Sequence, residues 1–366
     1  MPRPPDPFRK HREAAPPAAP AADAPARPVA AKLTSEEEEA FEATLRPQRF
    51  QDFVGQTRVT DNLRVYVKAA IKRAEAIDHI LLSGPPGLGK TTLARIVANE
   101  LSVEFYGTSA PALRKPGDLV GLLTSLPDRA VLFIDEVHRL PPALEEYLYS
   151  AMEDFFIDLT VDQGTSARPI RFQLKHFTLI GATTRDGLLS RPFQNRFGIP
   201  QKLVFYSVEE LAQIVRRSAR ILAIPTDEDA GREIASRARK TPRVANRLLR
   251  RLRDWAEVEG SGRLTLDIAR KGLEREGVDE FGLDPMDRRI LHALAEHRGA
   301  PVGVKTIAAM VSEEPDTIEE VYEPYLIQEG YILKTPRGRI LAPKGCERLG
   351  LKFEPPKGAD GMGELF

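Results

Sequence analysis

The densest chemical signal lies at residues 84 to 92, Gly-Pro-Pro-Gly-Leu-Gly-Lys-Thr-Thr, where Gly84, Gly89, Lys90 and Thr91 fill the spacing G-x-x-x-x-G-K-[ST]. Glycines leave backbone N–H groups free to surround an anion. A helix starting at Lys90 would add its dipole, the lysine would reach the outer phosphates, and the Thr91 hydroxyl would bind Mg2+. About forty-five residues on, the apolar run Val131-Leu132-Phe133-Ile134 ends in Asp135-Glu136. A carboxylate pair ending a strand of the same sheet faces the same crevice. Asp135 can hold the metal through water, and Glu136 can polarise the water that attacks a γ-phosphate. The next apolar strand runs into Gly181-Ala182-Thr183-Thr184-Arg185, so Thr184 can orient that water beside Glu136. The chemistry expected is hydrolysis of ATP.

The elements required to position these groups are visible as a pattern. Between roughly 41 and 206, short apolar runs alternate with helical stretches, as in a parallel sheet flanked by helices. His79 to Ser83, Val131 to Ile134 and Phe177 to Ile180 read as central strands, and Thr91 to Leu101 as an amphipathic helix. Strands then disappear, and residues 207–281 carry helix starts: Ser207 with Glu210, Thr226 before Asp227-Glu228, and Thr241 before Pro242. Residues 282–354 read as three helices, the third from Glu314 to Gln328, and a hairpin of Tyr331-Ile332-Leu333 and Ile340-Leu341 around Thr335 to Gly338, the order of a winged helix. Residues 1–40, rich in Pro and Ala, read as disordered, and 355–366 as a flexible tail.

Composition narrows the function classes. Fifty-three basic and fifty-three acidic residues cancel, so any nucleic-acid contact has to come from a local patch. The single cysteine, Cys346, excludes a disulfide framework or thiolate metal cluster within one chain. No apolar run approaches the roughly eighteen residues of a spanning helix, and the N-terminus lacks a secretory core, so no membrane association and a cytoplasmic location are expected.

Two further segments stand apart. Residues 331 to 346 carry Lys334, Arg337, Arg339 and Lys344 without a carboxylate, a basic hairpin suited to a phosphate backbone. Between Glu136 and Thr184, Ile157, Leu159 and Val161 alternate with polar residues, turn at Gln163-Gly164, and are answered by Ile170, Phe172 and Leu174. This is an inserted hairpin with an apolar face, the kind of surface that marks a protein contact.

The order of these elements resembles the AAA+ ATPases: an α/β P-loop core, a small helical lid domain and a C-terminal winged helix. More narrowly, Gly84 to Thr92, Asp135 to Arg139, Gly181 to Arg185, Arg196 to Ile199, Thr241-Pro242-Arg243 and Thr335 to Arg339 resemble the RuvB family of Holliday-junction branch-migration motors, from about Leu45 to Leu351. The resemblance implies ATP with Mg2+ as cofactors, contacts to nucleotide from Leu45, Arg46, Gly87, Gly89, Lys90, Thr91, Thr92, Glu153, Asp154, Phe155 and Tyr206, and an arginine finger, Arg196, reaching a neighbour's site. It further implies a sensor arginine, Arg243, DNA contacts from Lys334, Arg337 and Arg339, a homo-hexamer, RuvA as partner at residues 157–174, and RuvC as a further partner. Two positions depart from the family's pattern: Gln194 where an arginine is common, and Lys334 where arginine is usual. The competing readings are a protein-remodelling ATPase or clamp loader on the same core, and a winged-helix regulator that uses nucleotide only as a switch.

Overall fold

The computed structural model describes residues 42–161 and 168–353. The Pro/Ala-rich head, the turn at Gln163-Gly164 and the tail 355–366 lie outside these residues. The N-terminal unit contains strands β1 (Ile80–Ser83), β2 (Phe105–Ser109), β3 (Ala130–Asp135), β4 (Phe156–Val161), β5 (Arg168–Gln173), β6 (Phe177–Thr183) and β7 (Ile199–Lys202). Five of them form one parallel sheet in the order β2-β3-β6-β1-β7, and β4 and β5 pair separately as an antiparallel hairpin.

Parallel strands covered on both faces read as unbroken apolar runs, which is why Ile80 to Leu82 and Ala130 to Ile134 stand out in the sequence. Their alternation sorts them. Ile80, Leu82, Val131, Phe133 and Ile180 pack against Leu63 and Val67 of the helix Thr57–Arg73 and Leu93 and Val97 of the helix Lys90–Leu101. Leu81, Leu132, Ile134 and Leu179 face Leu119, Leu123, Leu144 and Leu148 on the other side. The first strand begins at Ile80, one residue later than the sequence suggests. His79 instead braces neighbouring elements: its Nδ1 accepts from the Leu179 amide at 2.8 Å, and its Nε2 lies 3.0 Å from the Met152 carbonyl.

Four helices make the next unit: Val208–Ile221, Glu228–Ser236, Pro242–Glu259 and Leu266–Arg275. Ser207 and Glu210 form the expected reciprocal cap, and Thr241 accepts from the Val244 amide. The second start is shifted. Asp227, not Thr226, occupies the cap position, because the Thr226 hydroxyl donates back to the Ile224 carbonyl and the Asp227 carboxylate holds Arg263.

The last unit has helices Pro285–Ala295 and Val304–Val311, then a segmented third helix, then β8 (Ile332–Thr335) and β9 (Gly338–Leu341) and the short helix Pro343–Arg348. The single helix expected over Glu314 to Gln328 is interrupted by a π turn at Ile318–Tyr322. Pro324 explains the break: it has no N–H for the carbonyl of Glu320, and its ring crowds that carbonyl, so the backbone widens. In the hairpin, Gly338 has φ +142°, and a Cβ there would lie 2.4 Å from the Val302 carbonyl oxygen, so only glycine lets β9 pair with Val302.

The lid is fastened to this winged helix through Arg239, 3% exposed, which donates to Asp287 at 2.6 Å and Asp284 at 3.3 Å and lies over the rings of Tyr325 and Tyr322. Removing one member of such a pair leaves uncompensated charge in a dry place. Arg239→Ala is therefore expected to lose about 3–5 kcal/mol in denaturant unfolding. Burial pushes the Asp287 carboxyl up to about 7 despite Arg239, and without the guanidinium it rises further. The folded variant then retains a proton that the unfolded chain releases above about pH 4. Parent and variant gain equally from that proton below about pH 7, so the deficit should shrink as pH falls toward about 7 and stay level from there to about 5, a trend that melting curves would test.

Candidate nucleotide site and basic hairpin

The loop after β1 opens into a crevice between sheet and lid. Gly87 and Gly89 have φ of +79° and +101°, conformations that L side chains rarely adopt, and Gly89 directly precedes the helix Lys90–Leu101. That helix presents its unpaired N–H groups and positive end to the crevice. Lys90 is buried, and its Nζ donates to the carbonyls of Gly84 at 2.7 Å and Pro85 at 3.0 Å, holding the ammonium across the loop. Thr91 and Thr92 line the same crevice, as do Leu45, Arg46 and Tyr206 at its apolar end.

That apolar end is assembled from distant parts of the chain. The Leu45 carbonyl accepts from Arg217 of the lid at 2.7 Å, and the Tyr206 hydroxyl donates to the Leu88 carbonyl at 3.1 Å. Burial raises the Tyr206 pKa far above the ordinary phenol value, so the hydroxyl remains a donor. Arg217 was not singled out from sequence; only its helical register toward the crevice could have suggested it.

At the carboxyl end of β3, Asp135 and Glu136 both line the crevice. Desolvation, and then the negative charge of Glu136, raise the Asp135 pKa, while Lys90 and Arg243 oppose the shift. A half-buried carboxylate beside another is a place where a divalent cation fits, and the Thr91 hydroxyl shares the crevice. Glu136 sits in the left-handed region, φ +50°, so its side chain leaves the strand direction. The Thr184 hydroxyl, from the end of the adjacent parallel strand β6, donates to Glu136 Oε2 at 3.0 Å. His138, which sequence reasoning missed as an individual group, adds to this: its Nδ1 lies 3.4 Å from Glu136 Oε2 and 3.0 Å from Thr183 Oγ1. Burial lowers the His138 pKa, which favours the neutral ring at neutral pH. A histidine two positions after the carboxylate pair was its only sequence signal.

Arg243 also reaches the crevice. Its amide donates to the Gly87 carbonyl at 3.4 Å, tying the lid helix to the phosphate loop, and its Nε donates to Glu42 at 3.0 Å. Glu42 lies 3.7 Å from Arg46 as well, so one carboxylate holds two cations at the mouth.

Other expected residues lie elsewhere. Glu153, Asp154 and Phe155 do not line the crevice of their own chain, because the helix Pro142–Glu153 carries them to a different edge of the domain. Phe155 packs on His176 and Phe177 instead. Arg196 is at that edge too: its Nη2 is 3.3 Å from Glu153, its Nη1 donates to the Pro192 carbonyl, and its guanidinium lies 4.1 Å from the Tyr149 ring centroid. Gln194 donates to the carbonyls of Asp186 and Leu189 and so braces the preceding loop.

In the basic hairpin, Lys334 and Arg337 are exposed. Arg339 requires correction as a DNA contact. It is 7% exposed and gripped by Glu323 and Glu319, each at 2.5 Å, so in this arrangement its guanidinium cannot meet a phosphate. The hairpin lacks carboxylates in sequence, yet the third helix supplies them: Lys334 is 3.7 Å from both Glu319 and Glu323. The inserted hairpin is similarly divided. Ile157 and Leu174 pack into their own domain, Phe172 is half-buried, and Ile170 is 45% exposed.

Comparison with known proteins yields three adjoining matches: the Holliday junction DNA helicase RuvB P-loop domain over residues 45–203, the RuvB AAA lid domain over 206–279, and the RuvB C-terminal winged helix domain over 280–350. The Holliday junction branch migration complex subunit RuvB of Myxococcus xanthus is 58% identical over 317 residues, covering 86% of this chain and 92% of that protein. The subunit of the same name from Bdellovibrio bacteriovorus is 56% identical, covering 84% and 93%. The solved Thermotoga maritima RuvB branch migration motor superposes with a TM-score of 0.78 at 46% identity, covering 85% of this chain and all of that one.

Proposed function

The chain belongs to the RuvB family of AAA+ ATPases, and from that premise we propose that it is an ATP-driven motor that moves Holliday junctions by pulling duplex DNA, in partnership with RuvA. The observation that carries the reading is the Thr184 hydroxyl on Glu136 at 3.0 Å, inside a crevice closed by the lid: a carboxylate aimed at hydrolysis rather than at nucleotide storage. Leu45, Arg46 and Tyr206 receive the adenine side, and Gly87, Gly89, Thr92 and Lys90 receive the phosphates. Thr91 and Asp135 would hold Mg2+, which when bound neutralises phosphate charge. Glu136 accepts the proton of the attacking water, Thr184 fixes the carboxylate's direction, and Arg243 reports phosphate to the lid.

Arg196 with Glu153, Asp154 and Phe155 forms one edge that meets the crevice of the next subunit, in a homo-hexameric ring. Exposed Ile170 on the inserted hairpin supports RuvA docking at residues 157–174, with RuvC acting on the same junction. Among the described residues no helix is long and apolar enough to cross a membrane; the place of action that goes with a DNA motor of this family is the cytoplasm. A protein-remodelling or clamp-loading role has no support in matches that belong to RuvB along three successive units.

The test is the ATPase rate with and without duplex DNA and RuvA, followed by migration of a synthetic four-way junction. Stimulation by DNA together with junction movement is the expected result; hydrolysis indifferent to both would refute the reading. Lys334 and Arg337 neutralise phosphates, so the double change to alanine should weaken duplex binding for all sequences alike and reduce the slope of log affinity against log salt by about two, in a fluorescence anisotropy titration.

A further inference from the structure

The hydrolysis site and the basic hairpin are joined by an unbroken series of polar contacts. Thr184 holds Glu136, and the next residue, Arg185, turns away from the site toward the winged helix. Its amide donates to Thr183 Oγ1 at 3.0 Å, the hydroxyl that also faces His138, so both residues before it touch groups around Glu136. The Arg185 guanidinium reaches Glu319 at 3.0 Å, Asp316 at 3.5 Å and Glu320 at 3.6 Å. Glu320, 8% exposed, also accepts from Arg139 at 2.9 Å. Glu319 in turn accepts from Arg339 at 2.5 Å and lies 3.7 Å from Lys334 on the hairpin. Each link from Glu136 to the hairpin cation is 3.7 Å or less, and Glu319 and Glu320 come from the π turn that Pro324 imposes. Such a widened turn is a place where a helix can change register.

Glu319 therefore has three cations and two oxygens. We propose that Glu319 is a positioning residue that reports occupancy of the hairpin by a DNA phosphate to the catalytic carboxylate. A phosphate that takes Lys334 leaves Glu319 to Arg339 and Arg185. The Arg185 pair then tightens and steadies the turn Thr183–Arg185, which fixes the Thr184 hydroxyl on Glu136 and holds that carboxylate toward its water. Coupling between two such sites amounts to about fivefold or more in an equilibrium. The proposal rests on the reading of the chain as a DNA motor.

The experiment is steady-state ATP hydrolysis titrated with duplex DNA, alongside anisotropy of the same duplex, for the full-length chain, Glu319→Gln and Glu319→Asp. Glu319→Gln removes a negative charge near the phosphates, so duplex should bind as tightly as to the parent or more tightly. Its hydrolysis without DNA should be unchanged, while maximal stimulation at saturating DNA falls about fivefold or more. Glu319→Asp keeps the charge on a shorter arm and should stand between the two. A residue that only supported the fold would lose DNA affinity and stimulation together. Maximal stimulation equal to the parent's in Glu319→Gln would overturn the proposal. If circular dichroism shows Glu319→Gln to be unfolded, Glu319→Asp decides in the same way: reduced maximal stimulation supports the link, and parental stimulation overturns it. A parent chain that DNA does not stimulate removes the motor reading and this proposal together, a result distinct from a stimulated parent with an equally stimulated variant.

Discussion

Glu136→Gln is expected to lower ATP hydrolysis about a thousandfold while nucleotide affinity stays within a few-fold, measured by phosphate release and by a fluorescent ATP analogue. The size follows from what a positioned base contributes, about 10²–10⁴ in rate. The amide matches the carboxylate in shape, so it can still accept from the Thr184 hydroxyl and occupy the left-handed backbone at φ +50°. What it cannot do is take a proton. Loss of turnover with binding retained therefore isolates proton transfer from assembly of the crevice. Survival of activity within tenfold would place the base elsewhere. His138, buried beside Glu136 and held toward its neutral form, would be the next group to change, because a neutral imidazole 3.4 Å away could relay the proton instead. Thr184→Val offers a milder version: the carboxylate remains but loses its fixed direction, and turnover should fall by less than in Glu136→Gln.

How much of this could be read in the sequence depended on whether partners were local. The phosphate loop was legible because a strand, a glycine-rich turn and a helix are contiguous, and their periods change within ten residues. The Thr184 contact to Glu136 was legible at one remove, since two apolar runs ending in polar residues become neighbours once the sheet is parallel. His138 was not, because nothing in a linear reading says that a ring two residues past Glu136 folds back to it. Arg339 shows the opposite error. Counting charge along residues 331 to 346 gave a purely basic hairpin, but Glu319 and Glu323, a helix earlier in the chain, stand against it in space and bury that guanidinium. Arg239 was invisible for the same reason: its partners Asp284 and Asp287 are forty-five and more residues away. The π turn was missed although Pro324 was in plain view, because a proline inside a helical pattern can end, kink or widen a helix, and only packing selects among these. Glu153 to Phe155 mark another limit: they lie away from the crevice of their own chain, and if they serve a site shared between copies, one copy's folding pattern carries no trace of it.

That limit is what Arg196→Ala addresses. In one chain the guanidinium is spent on Glu153, the Pro192 carbonyl and the face of Tyr149, with its Nε buried and without a hydrogen-bond partner among the described residues. These contacts hold it at an edge, and neither it nor these partners line the crevice of its own chain. If it serves a neighbour, its loss should reduce hydrolysis by about 10³–10⁵ with nucleotide binding intact, as expected for an arginine supplied in trans. Rate alone would not distinguish this from a local distortion, but mixing does. Combined with Glu136→Gln, itself inactive, Arg196→Ala subunits keep the carboxylate while their partners keep the arginine. Boundaries where the intact Glu136 meets the intact Arg196 should recover activity, in a proportion that rises and falls with the mixing ratio. Were Arg196 to act within its own chain, every subunit in the mixture would lack one of the two groups at its own site, and no ratio would restore turnover. Recovery would also require subunits to touch at this edge, so the same experiment tests whether Glu153, Asp154 and Phe155 stand at a shared boundary.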